Sequence, residues 1–422
     1  MLLLGILAIA TAGCDSDEQV SRSPYTELEI WLHSGQPAER RTLQEQVTRF
    51  NESQRRYRVN AVILPEGSYN AQVQSAAVAG KLPDILEFDG PFLYNYVWQG
   101  KLIPLDKHIT DGALLDELLP SIVRQGMYQG RLYAVGTYDS GLGLFARRSR
   151  LESAGIRIPT TPDRAWTVDE FEEALARLAR DDPDGAVLDL KLNYRGEWYT
   201  YAFSPVIQSA GGDLIDRRGT NRASGVLNGA ASVAAMKRVQ GWIKAGRVDP
   251  NLDDAAFVEG RVALSWAGHW DYARYRKAAG DDLVLLPLPD FGRGARTAQG
   301  SWAWAVTRNC RDVQGAMDFL EFLLRPEEVL AMSNANGAVP GTRSAIARSP
   351  LYRPGGPLHL FVEQLETIAV PRPRTPAYPV ITSAFQQAFE DIRNGGDVQA
   401  ALDRAAALID RDIEENRGYP PG

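Results

Sequence analysis

The chain has 422 residues, 44% of them hydrophobic and 23% charged, with a net charge of −7. That composition excludes a disordered chain, and at roughly 100–200 residues per domain it predicts two lobes or more. Basic and acidic residues are mixed throughout and no Lys/Arg stripe stands out, so no nucleic-acid partner is expected.

Met1 to Gly13 is uncharged and apolar, too short to span a bilayer and the right length for the core of a signal peptide. Cys14 follows at once, then a polar run to Ser23. Small residues before a Cys resemble a bacterial lipoprotein signal, which implies acylation of Cys14 and a tether over 14–23. Thr11 stands where Leu is usual, and Met1 lacks a following Lys or Arg. Two or more acyl chains give stable anchoring. Cys310, the second of two cysteines, reads as a small buried apolar residue.

Glu27 to Leu32 alternates polar and apolar residues as a strand does. Leu43, Val47 and Phe50 recur at helical spacing. Arg58 to Leu64 and Lys81 to Phe88 read as further strands, the latter with Pro83 at its entry. Strands separated by helices predict α/β layers and parallel pairing. Tyr128 to Val135 reads as a hairpin and strand, and Gly143 to Phe145 as extended. Trp166 to Arg180 is the clearest helix, with Thr167 and Glu170 as a capping box. Ala230 to Ala245 is another. Phe257 to Trp266 predicts a turn and strand, and Asp282 to Leu288 a strand ended by prolines. A helical stripe from Val313 to Leu324 stops at Pro326. Pro371 to Pro379 is a Pro-rich connector, expected extended. Asp397 to Asn416 closes the chain as a long helix.

Signatures of catalysis fail in context. Gly141 to Ala146 fits G-x-G-x-x-[GA], but the residues alternate like a strand where a helix should begin. No G-x-S-x-G and no H-E-x-x-H occurs, and the four His are scattered. Asp181 to Gly185 resembles part of a calcium loop, but Arg180 and Lys191 occupy its end positions. Neither a metal nor a cofactor is expected. A glycosidase would need two carboxylates flanking one bond, for which Glu87 with Asp89, or Asp139, could be recruited. The aromatics say more. Trp266 and Trp270 bracket SWAGHW, Trp302 and Trp304 follow Gly300-Ser301, and Trp198, Tyr199 and Tyr201 crowd GEWYTY. Flat rings for C–H faces and polar groups for hydroxyls are what a sugar cleft requires.

The order of segments resembles the family 1 extracellular solute-binding proteins, the group that includes maltose- and other oligosaccharide-binding proteins. The resemblance is carried by GKLPDILEFDGPFLYNYVWQGKLIPLDKHI from Gly80 and by YQGRLYAVGTYDSGLGLFARRSRLESAGI from Tyr128. AWTVDEF, QSAGGDLID, FVEGRVALSWAGHW, LPLP and QGSWAWAV continue it in order. It implies an α/β fold of two lobes, of the type II periplasmic-binding-protein kind, with the ligand in the cleft between them. By similarity the crossings fall near Asp139–Ser140, Leu285 and Arg325. The N-terminal lobe is then 24–139 plus 285–324, and the C-terminal lobe 140–284 plus 325–422.

Carried over by position, the first lobe offers His33, Ser34 and Gln36 after its first strand, then Glu87, Phe88 and Asp89. Phe88 is smaller than the family's usual Trp. Tyr138 and Asp139 lie at the crossing. The other lobe offers Tyr201, Gly212, Asp213, Trp266, Gly268 and Trp270, with Trp302 and Arg343 completing the set. The resemblance gives Trp266 and Trp270 the stacking role, Glu87, Asp89 and Asp139 the acceptor role, and Arg343 that of a donor. It implies a non-enzymatic, monomeric binding lipoprotein outside the cytoplasm. Its partners are a small-molecule carbohydrate and the membrane permease of an ABC transporter. Glycerol phosphate or polyamine as ligand, a surface glycosidase, and service to a sensor kinase are the alternatives.

Overall fold

The computed structural model describes residues 24–420, so the expected signal segment and Cys14 lie outside the described residues. Fourteen strands occur among the described residues. They are β1 (Thr26–His33), β2 (Tyr57–Leu64), β3 (Ile85–Asp89), β4 (Met127–Tyr128), β5 (Arg131–Leu132), β6 (Tyr138–Asp139) and β7 (Leu142–Arg147), followed by β8 (Leu188–Asp189), β9 (Leu264–Gly268), β10 (Leu283–Leu286), β11 (Thr297–Gln299), β12 (Trp302–Val306), β13 (Val339–Pro340) and β14 (Ala369–Pro371). The first sheet has the order β12-β3-β1-β2 and the second β10-β7-β9-β8. Each is flanked by helices, giving the two-lobe α/β architecture. No described helix is long and apolar enough to cross a membrane.

Strand direction follows from how each strand is reached. β1 pairs in parallel with β2 and β3, and β8 with β9, as helical crossovers require. β7 and β12 break the expected parallel rule. β7 runs antiparallel to β9 and β10, and β12 antiparallel to β3. Both enter from the other sheet, so they start where their neighbours end. His33, Asp89, Trp302, Leu142 and Gly268 therefore all lie at the sheet ends nearest the crossings. Two short ladders form the waist there: β6 with β13, and β11 with β14.

The crossings fall later than expected. Leu285 is inside the second sheet, paired with Phe145, and the return to the first comes between Leu286 and Trp302. Pro326 ends one helix and opens the next, Pro326–Asn336, because proline suits a first helical turn. That helix stays with the first sheet. Glu328 accepts from Arg49 of the helix Pro37–Ser53, and its carbonyl accepts from Gln46.

The capping box of Thr167 and Glu170 starts the helix Val168–Leu178, whose stripe of Phe171, Leu175 and Leu178 is buried. Two other expectations fail. Trp198, Tyr199 and Tyr201 lie in the helix Glu197–Ser209, buried from Trp198 onward. The Pro-rich segment is extended only to Pro371, and a helix opens at Tyr378. As the alternation of Gly141 to Ala146 predicts, this stretch enters a strand, β7, and no phosphate loop; a Cβ on Gly143 would meet Leu285 Cδ1 at 2.7 Å. Cys310 is free and half-buried, and burial raises its thiol to about 11.

Strand alternation sends Trp266 into the second-lobe core. It is 1% exposed and stacks on Phe203 at 6.2 Å. Phe88, fully buried, packs edge-on against Tyr96 at 5.5 Å in the first-lobe core. Neither is a ligand platform. Trp266→Ala should lower unfolding stability by about 3–5 kcal/mol, as for other buried aromatics cut to Ala. A denaturant midpoint equal to wild type would place Trp266 outside the core.

Candidate functional site

The second lobe builds an aromatic wall at its crossing end. Gly268 ends β9, and the ring of Trp270 lies so close that a Cβ on Gly268 would meet it at 2.2 Å. Trp270 packs edge-on against Trp198 at 6.0 Å and tilted against Tyr201 at 6.4 Å. Its buried Nε1 has no hydrogen-bond partner among the described residues. Tyr201 exchanges a hydrogen bond with Ser140 at 2.9 Å, and the Arg372 guanidinium stands 4.9 Å over its ring.

Arg372 joins the two lobes. Its forked donors reach both oxygens of Asp89, at 2.6 and 2.7 Å, and Glu197 Oε1 at 2.6 Å. Asp89 ends β3, and Glu197 opens the helix Glu197–Ser209, where the helix dipole favours a carboxylate. Tyr378 and Thr382 also donate to Glu197. Burial pushes the Glu197 carboxyl up, against the pull of Arg372.

The first lobe contributes a clamped imidazole. His33 Nδ1 lies 2.7 Å from Glu87 Oε2, and Nε2 lies 3.9 Å from Glu39. Trp302 stacks on its ring at 3.7 Å with an interplanar angle of 1°. Burial alone would depress the imidazole, but Glu87, then Glu39 and Glu66, outweigh it and raise His33 to about 9. It is therefore an imidazolium at neutral pH, and the stacked indole adds a cation–π contact. Burial raises Glu66. Tyr138 donates to Glu39 at 2.9 Å, and Gln36 and Asn336 tie this cluster to the helix Pro326–Asn336.

The remaining expected residues do other work. Asp139 is fully buried and accepts from Ser140 and Gln299, so both oxygens are held within the waist. Burial raises its carboxyl. Ser34 accepts from the Glu66 N–H at 3.2 Å. Gly212 follows a helix end, where a Cβ would strike Ser232 Oγ at 2.1 Å; its role is close packing. Asp213 pairs with Arg217 at 2.7 Å. Arg343 is exposed and donates to the Asp116 carbonyl, so it stands apart from the wall. Sequence reasoning missed Arg372, Glu197, Glu39 and Glu66. The arginines spaced between prolines in PRPRTP were the available signal for Arg372.

Because the folded pKa of His33 lies above its unfolded value near 6.5, its stabilisation is complete below about pH 6.5 and is lost as pH rises through 9. Urea unfolding of wild type and His33→Gln should differ by up to roughly 3 kcal/mol at pH 6 and converge by pH 10. A gap independent of pH would mean that His33 is not an imidazolium.

A family model for bacterial extracellular solute-binding proteins matches residues 45–353. An arabinooligosaccharide-binding protein of Bacillus subtilis (strain 168) is 22% identical over 347 residues, covering 78% of this chain and 76% of its own. An uncharacterized lipoprotein of Streptomyces antibioticus is 22% identical over 373 residues, covering 83% and 78%. Among solved structures, the GacH receptor of Streptomyces glaucescens, determined unliganded and with acarbose, superposes with a TM-score of 0.77 at 21% identity, covering 94% of this chain and 100% of its own. The sugar-binding protein MalE of Xanthomonas citri gives 0.72 at 20% identity, covering 93% and 98%. The family match spans well over half of the sequence, and the fold agrees with it: this chain belongs to the bacterial extracellular solute-binding proteins.

Proposed function

We propose that this chain is the carbohydrate-binding component of an ABC importer, tethered outside the cytoplasm through Cys14 and delivering its ligand to a separate membrane permease. The observation that carries the ligand class is the aromatic cluster of Trp270, Trp198 and Tyr201, tied to the crossing residue Ser140 through Tyr201, with the unpartnered Trp270 Nε1 within it. Apolar rings suit the C–H faces of a sugar. The buried, unpartnered indole donor suits a hydroxyl. The acceptors of the cleft are already ordered by cations, Glu87 by His33 and Asp89 by Arg372. A polyamine would have to displace those internal cations, which disfavours that ligand.

The role is binding without chemistry. Asp89 is held on both oxygens by Arg372, and Glu87 is held by His33 and by its backbone N–H. A glycosidase would need one carboxyl free to give a proton and another free to attack or activate water. The lobes would close on a ligand only through contacts that favour the closed state. Identity of the mature, acylated form would follow from mass spectrometry of the N-terminal peptide.

A ligand at about a hundred times its dissociation constant adds roughly 2.7 kcal/mol to stability. Thermal melts against a panel of mono- and oligosaccharides should therefore show an upward shift for at least one sugar, with no release of reducing ends. Trp270→Ala should weaken that binding more than tenfold while the ligand-free melt moves little. An unchanged dissociation constant would remove Trp270 from the site. Stabilisation by polyamines alone would overturn the carbohydrate reading.

A further inference from the structure

The second lobe buries a lysine that the site described above does not use. Lys191 stands two residues past the end of β8 and is 0% exposed. Its Nζ lies 2.9 Å from Asp189 Oδ2, 2.7 Å from Asp254 Oδ1 and 3.7 Å from Asp271 Oδ2. These carboxylates come from the end of β8, from the loop before β9 and from the turn after β9. Arg274 completes the cluster, pairing with Asp254 at 2.9 Å and also with Asp271. Burial alone would lower the ammonium, but Asp271 and Asp189 outweigh it and raise it. Lys191 also has φ 53°, a left-handed backbone that is uncommon outside glycine. A buried ion cluster is weak evidence for stability, because packed apolar residues often serve as well. Backbone strain that the surroundings hold in place is more often found where function constrains the chain.

Both indoles of the aromatic wall are anchored on what this lysine grips. Trp198 Nε1 donates to the carbonyl of Leu190, the residue before Lys191, at 3.3 Å. The Tyr194 N–H donates to the Lys191 carbonyl, and that turn sets the Tyr194 ring edge-on to Trp198 at 5.3 Å. Trp270 is held from the other side. Asp271 follows it in the short helical turn His269–Asp271. Asp271 Oδ1 accepts from Arg274, while the buried Oδ2 has no hydrogen-bond partner among the described residues and faces Lys191. The ammonium therefore lies between the anchors of two rings that meet edge-on at 6.0 Å. Lys191 itself is out of a ligand's reach, with the rings of Tyr275 and Tyr194 at 5.3 and 5.9 Å from its Nζ.

We propose that Lys191 is a positioning residue of the binding site: acting through Asp271, it fixes the turn that carries Trp270 against the start of the helix that carries Trp198, and so sets the angle between the two indoles that a sugar meets. This rests on the carbohydrate reading above and deepens it. The link is Coulomb attraction without a hydrogen bond, which stays strong where water is excluded. Neutralising Asp271 frees the Trp270 turn while Lys191 keeps Asp189 and Asp254, and Arg274 keeps Asp254.

The test compares Asp271→Asn, the double variant Lys191→Met/Asp271→Asn and Trp270→Ala with wild type. The double variant removes one charge of each sign, so the net charge of the cluster is unchanged. Circular dichroism of the ligand-free proteins reads the exciton signal of the paired indoles, defined as the component that Trp270→Ala removes. Both Asp271 variants should lose that component while still melting cooperatively. In calorimetric titrations with maltotriose, mannobiose and arabinotriose, each should bind the sugar that wild type binds about tenfold more weakly, and Lys191→Met should add no further loss in the Asp271→Asn background. A retained indole signal would overturn the positioning role. So would failure of both Asp271 variants to melt cooperatively, because the cluster would then serve the fold itself. A lost signal with affinity unchanged in the Asp271 variants but reduced in Trp270→Ala would overturn the role in binding and leave the carbohydrate reading standing. Affinity unchanged in Trp270→Ala as well would overturn the wall as the sugar's platform. Heat from none of the three sugars with wild type would overturn the carbohydrate reading, and the ligand-free signal would still decide whether Lys191 sets the indoles.

Discussion

The arrangement depends on one buried guanidinium. Arg372 is held between Asp89 from the first sheet and Glu197 from the second lobe. Removing three charges from water costs several kcal/mol per ion, and only close geometry and further hydrogen bonds offset this. Both conditions are met. The Asp89 pairing is bidentate, and Tyr378 and Thr382 satisfy Glu197. The helix Glu197–Ser209 adds its dipole at the same carboxylate. The triad fixes the Pro-rich segment against both lobes, and with it the Tyr201 ring that Arg372 covers.

Why everything meets at one place is a matter of strand direction. β1, β3 and β9 run toward the waist and end on His33, Asp89 and Gly268. β12 leaves the waist, beginning with Trp302 opposite Asp89. The alternation of a strand then chooses between neighbours. Along β9, Trp266 faces the core of its lobe, and the chain must pass Gly268 before Trp270 can turn toward the wall. Along β3, Phe88 faces the core, while Glu87 and Asp89 are taken up by His33 and Arg372. Two adjacent positions on one strand cannot both serve the site.

This is also the measure of what the sequence made legible. Period-2 alternation in ELEIWL and the capping box at Thr167 are local signals, and both survive folding. The two-lobe α/β class followed from the order of segments. Strand parity was equally local, but which parity faces the core depends on the opposing layer, so Trp266 and Phe88 were misplaced. The aromatics of GEWYTY were read as cleft residues, but the segment is helical after its glycine. In the structure that glycine, at φ 66°, is the residue before the helix. The partners of Arg372 lie 283 and 175 residues away, and no spacing within the sequence could announce them. Asp139, carried over as a ligand acceptor, accepts from Gln299 instead.

The two sides of the cleft differ in how they are made rigid, and the difference bears on the order of events. In the first lobe, His33 is fixed by Glu87 beneath it and Trp302 against its face, all at one end of one sheet. These contacts do not require the second lobe. The wall of the second lobe leans on Arg372, which also holds Asp89. Any motion that separates the lobes must break the Asp89 or the Glu197 arm of that triad. Breaking either leaves a charge with half its partners, at a cost of several kcal/mol unless water enters. A ligand that brings its own polar groups to the waist changes that cost, and only such a differential contact can shift the balance between open and closed forms. In the proposed binding role, Arg372 is where ligand chemistry and lobe geometry would become one energetic problem.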